Sequence, residues 1–95
     1  MNKIKRQMVE ELLQAEELYN EEFERDKNSQ ECKNVSSILW NLHVSLEVET
    51  DQSKEEKHRL EWFIIGMIKT FANAKMSLSR LLKCLEVCGI EVVEE

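Results

Sequence analysis

Leu60, Ile64, Met67, Phe71, Ala74, Leu78, Leu81, Leu85 and Cys88 follow one another at steps of 4, 3, 4, 3, 4, 3, 4 and 3. That alternation keeps one side of an α-helix apolar over four heptads and predicts a helix spanning about 54–88. At about 1.5 Å per residue such a helix is roughly 50 Å long. Trp62, Phe63, Ile65 and Ile68 add further apolar positions, so 62–68 is apolar nearly all round and belongs inside a bundle. Gly89 followed by Ile90 reads as a Schellman stop, with the glycine left-handed and Ile90 folding back onto Leu85. Ile90, Val92 and Val93, spaced by Glu91, have the pattern of a strand start.

Upstream, Ile4, Met8, Leu12, Ala15, Tyr19 and Phe23 are spaced by 4, 4, 3, 4 and 4, and Val9, Leu13 and Leu18 widen the stripe. This predicts an amphipathic helix over about 3–27, compatible with packing on a core or with a paired helix of eleven-residue period. Asp26 to Ser29 interrupts the pattern. Asn28 with Glu31 reads as a capping box for a second helix, and Asn34 before Val35 is the alternative cap. The second helix spans about 33–49. It carries Val35, Ile38, Leu39, Leu42 and Leu46 on one face, with Trp40, Val44 and Val48 on an adjacent one. Thr50 to Ser53 is a polar connection, and Ser53 with Glu56 is a further capping-box signal. So short a link predicts antiparallel neighbours.

The fold class expected is therefore all-α: one domain over 1–95, with an N-terminal amphipathic helix (1–30) and a helical hairpin (33–93). The second helix spans about half the length of the third and leaves the seam near Leu78–Cys88 to be covered by the first helix or another chain. Two hairpins forming a four-helix bundle in a homodimer meet that need; a monomeric three-helix bundle is the alternative. The dimer or partner interface expected is Leu60, Phe63, Ile64, Met67, Phe71, Leu78, Leu81 and Leu85.

Composition narrows the function. The chain has no proline and two glycines, which disfavours a many-turned β fold, and its 42% hydrophobic content supplies a core. A net charge of −6, with Lys3, Lys5 and Arg6 as its one basic cluster, argues against nucleic-acid binding. No run approaches the ~20 apolar residues that span a bilayer, so no membrane association is expected. No apolar segment follows the N-terminal Lys and Arg residues, so no secretory signal is read there. Three cysteines, an odd number, fit a reducing compartment, and the cytoplasm is expected.

Little in the sequence points to catalysis. Cys84 and Cys88 lie four apart and could offer two zinc ligands. On the helices expected, His43, His58 and Cys32 fall too far away to complete a site or to form a Cys–His pair. No phosphate-binding or dinucleotide glycine pattern occurs. The carboxylates read as solvated faces, with Glu21 and Glu55 each four residues before an arginine, Arg25 and Arg59. Gly66, within the third helix, suggests the close approach of another helix or a kink, and its apolar surroundings favour the former. No cofactor, no metal and no enzymatic activity are expected.

The stretch Leu78-Ser-Arg-Leu-Leu-Lys-Cys-Leu-Glu-Val-Cys-Gly-Ile-Glu-Val-Val93 resembles the end of the bundle helix in GrpE-type nucleotide exchange factors, where a Leu-rich turn precedes Gly-[Val/Ile]-Glu-x-[Val/Ile]. Ile38-Leu39 through Leu46-Glu47 is loosely similar to that family's short helix, although Trp40 stands where proline is usual. The resemblance implies a dimerising bundle that acts as a cofactor of a DnaK-type chaperone. The family continues into a β domain where this chain reaches Glu95, so nucleotide exchange by this chain alone is not expected.

Overall fold

The computed structural model describes residues 1–94. In chain order it contains β1 (Asn2–Lys5), α1 (Arg6–Asp26), α2 (Gln30–Ser45), α3 (Lys54–Asn73), α4 (Leu78–Val87) and β2 (Ile90–Val93). The protein is mostly helical, as the periodicities predict, and differs from the expected three helices in three places.

The first difference is the start. Residues 2–5 are a strand rather than the first turn of a helix, and α1 begins at Arg6. β1 pairs in parallel with β2, matching Asn2 with Ile90 and Lys5 with Val93. On the other side of β1, Lys3 and Glu49 exchange two backbone hydrogen bonds of 2.8 Å. Arg6, just after β1, binds both Glu10 and Glu94. The hydrogen bond that Arg6 donates to Glu94, then that to Glu10, raises the pKa of its guanidinium above the ordinary value.

The second difference is the link before α3. α2 stops at Ser45, and residues 46–49 turn extended. Leu46 and Val48 are buried there, and the Val48 N–H donates to the Glu61 carboxylate at 3.1 Å. The connection is thus twice as long as its polar residues suggest. In consequence α2 and α3 do not form a close hairpin; each packs on α1. α2 starts at Ser29, whose hydroxyl accepts from the Cys32 N–H, so neither Asn28 nor Asn34 is the cap. Ser53 does cap α3, accepting from the Glu56 N–H.

The third difference is a break in the long helix. α3 ends at Asn73, and Lys75 adopts φ +55°. The Lys75 N–H donates to the Ala72 carbonyl at 3.1 Å and the Met76 N–H to the Phe71 carbonyl at 3.0 Å. Together these bonds form a complete Schellman end, built on a lysine rather than a glycine. Ser77 then caps α4, accepting from the Arg80 N–H. A straight 50 Å helix does not fit a molecule whose longest extent is 42 Å. α4 ends as expected at Gly89, φ +83°, whose N–H donates to the Glu86 carbonyl.

One core joins all these elements. Val9, Leu12 and Leu13 of α1, Leu39 of α2, Ile64, Ile65 and Ile68 of α3, and Leu81 and Leu85 of α4 are buried in it. Ile4 and Ile90 seal it on the sheet side. On the surface Arg25 pairs with Glu22, and Arg59 with Glu56, each three residues back rather than four. Gly66 corrects another expectation: a Cβ there meets nothing within 4 Å, so no helix of this chain approaches it. Gly66→Ala should therefore stabilise the fold by about 0.5–1 kcal/mol, since it removes only backbone freedom. That is a rise in melting temperature of roughly 2–8 °C, read by circular dichroism; no rise would mean that α3 is strained at this point.

Candidate partner-binding groove

The break after α3 creates an apolar recess on the surface. α4 turns Leu81 and Leu85, both 0% exposed, into the core and presents its other side to solvent. The Schellman turn brings Met76 next to Phe71, the two residues its outer hydrogen bond joins. Between α3 and α4 lies an open groove of about 470 Å³, lined by Met67, Phe71, Met76, Cys84, Val87 and Cys88. Arg80 and Lys83 also line it. Val87 is 83% exposed, an unusual position for a β-branched apolar side chain. Four of the lining residues carry sulfur, whose polarisable, adaptable side chains suit surfaces that accept other apolar groups.

The eight residues expected at an interface divide into three groups. Ile64, Leu81 and Leu85 are buried in the chain's own core. Leu60, Met67, Phe71 and Leu78 are partly buried and packed against it. Phe63 is half exposed. Of the eight, Met67 and Phe71 are the ones that line the groove. The heptad seam is thus shared between two helices that face one core from different directions.

A second recess lies between α2 and α3 and is floored by α1. It measures about 370 Å³, and Tyr19, Trp40, His43 and Trp62 contribute to its walls. At its floor the His43 Nε2 donates to the Glu16 carboxylate at 2.9 Å, with side chains 8% and 3% exposed. Trp62 stands edge-on to His43, with ring centroids 6.3 Å apart, and its Nε1 donates to His58 Nε2 at 3.0 Å. The chain of contacts from Glu16 through His43 and Trp62 to His58 ties three helices that otherwise meet mainly through α1.

Sequence reasoning missed Glu16, Met76 and Val87. Glu16 follows Leu12 by four and Leu13 by three, which puts a carboxylate on the apolar stripe; that placement was a readable sign of burial. Met76 and Val87 carried no such sign, because their place on the groove depends on the break. Among the described residues no three His, Cys, Asp or Glu side chains converge to hold a metal ion. No helix among them is long and apolar enough to cross a membrane. Compared with models of protein families, with curated proteins and with solved structures, the chain finds no match.

Proposed function

We propose that this chain is a small helical protein-binding module, not an enzyme, and that the α3–α4 groove seats an apolar segment of another protein. The observation that carries this reading is the groove itself: an apolar recess on a helix pair whose other faces already close the core. Helix-in-groove recognition needs such a preformed slot with aliphatic or aromatic anchors. The three free thiols, Cys32, Cys84 and Cys88, support a cytoplasmic setting. The reading is tested by capture with the tagged chain and two variants of matched melting temperature, Val87→Asp in the groove and Val44→Asp on α2. Loss of a captured protein with Val87→Asp alone supports the groove; equal behaviour of the two variants refutes it.

A second reading follows the GrpE-type resemblance: a homodimer serving a DnaK-type chaperone. It is favoured by Trp62 and Phe63, 44% and 50% exposed side by side on α3, which offer a surface to a second copy. Sedimentation at micromolar concentration, with and without a DnaK-type chaperone, separates the two; a monomer indifferent to the chaperone removes this reading.

A further inference from the structure

The charge around the groove is opposite to that of the chain. The charged side chains that line it are Arg80 and Lys83, a charge of +2 with no carboxylate among them, whereas Lys69 and Lys75 line other recesses. With −6 on the whole chain, −8 remains on the other residues. Arg80 and Lys83 line the groove, both exposed, and neither pairs with a carboxylate among the described residues. Arg25, Arg59 and the half-exposed Arg6 and Lys57 each hold a glutamate, while exposed Lys5, Lys27, Lys33 and Lys54 hold none among the described residues. What sets Arg80 and Lys83 apart is their place on an apolar groove.

From this juxtaposition of an apolar, sulfur-rich floor with an uncompensated basic rim, we infer that the groove's occupant is an acidic amphipathic helix of a partner protein. Its apolar side fills the slot over Met67, Phe71 and Val87, and its acidic flank meets Arg80 and Lys83. Opposed charges of this kind raise the rate of encounter and fix the orientation of the bound helix. α4 is ten residues long, about 15 Å, so two to three turns of the occupant lie along it, with anchors at i, i+4 and i+7. A basic helix would bring like charges together on the same rim.

This inference rests on the protein-binding reading of the groove, and its test separates the two. Two 18-residue helical peptides share the same Leu and Phe anchors, one with Glu flanks and one with Lys flanks. Each is titrated against the full chain by fluorescence anisotropy. The acidic peptide should bind on the order of tenfold more tightly at low salt, and the preference should shrink as salt screens the rim. The double variant Arg80→Glu/Lys83→Glu should reverse the preference, and Val87→Asp should weaken both peptides. Equal binding of the two peptides, or a preference that the double variant leaves unchanged, overturns the acidic partner and leaves the groove reading in place. Binding of neither peptide overturns both. So does saturable binding of dodecanoate with no peptide bound, which would make the groove an acyl-chain site. Self-association of the chain that Arg80→Glu/Lys83→Glu abolishes overturns a separate partner in favour of a second copy.

Discussion

His43→Leu should lower the stability of this protein by about 3 kcal/mol, because it leaves the Glu16 carboxylate buried without its hydrogen-bond donor. For a domain of this size, stable by about 5–15 kcal/mol, that is a large fraction of the total. Glu16→Leu should cost less, since an imidazole tolerates an apolar neighbour better than a carboxylate does. The double variant Glu16→Leu/His43→Leu is the informative one. Replacing both members of a buried pair with apolar groups removes the desolvation penalty along with the attraction. Its loss should fall below the sum of the single losses by about 2 kcal/mol, as residues in direct contact do. Urea unfolding of the four proteins measures this. Additive losses would show that Glu16 and His43 act separately, and that the contact is incidental to stability.

Leu85→Ala should be comparably damaging, at about 3 kcal/mol, because Leu85 is fully buried and its truncation leaves a cavity beneath α4. The corresponding fall in melting temperature is roughly 12–24 °C. The wild-type melting temperature, measured over a hundredfold range of protein concentration, carries the structural meaning. A core closed within one chain gives a midpoint independent of concentration, and a seam completed by a second chain gives one that rises with it. A rising midpoint would return Leu85 to the interface at which the heptad spacing alone had placed it.

The difference between those outcomes shows where the sequence was readable. Local signals with a local cause were legible: Ser53 as a cap, Gly89 as a left-handed stop, and the apolar side of each helix. The break at 74–77 was hidden for two reasons. Its left-handed residue is Lys75, with a Cβ, where a glycine would have announced the turn. The turn also replaces about one helical turn of chain, so Phe71 and Leu78 keep the spacing of an unbroken heptad. β1 was illegible because Ile4 alone marks its buried side, and what makes it a strand is a partner found near Ile90. The groove inherits that obscurity, since its position follows from the break and not from any motif. Gly66 misled differently: its helix is real, but the crowding expected around it is absent.

The parallel pairing of β1 with β2 also bears on the order in which the molecule forms. Lys3 and Glu91 stand opposite each other, yet the whole helical part of the chain is synthesised between them. Closing so long a loop carries an entropic charge that shorter contacts within and between the helices avoid. The sheet should accordingly be absent from the folding transition state, with mutations at Ile4 and Ile90 speeding unfolding and scarcely slowing refolding. On the ribosome, β1 leaves the exit tunnel with its natural partner still unmade. Of the two pairings of β1, the bridge to Glu49 closes the shorter loop and should form before the pairing with β2.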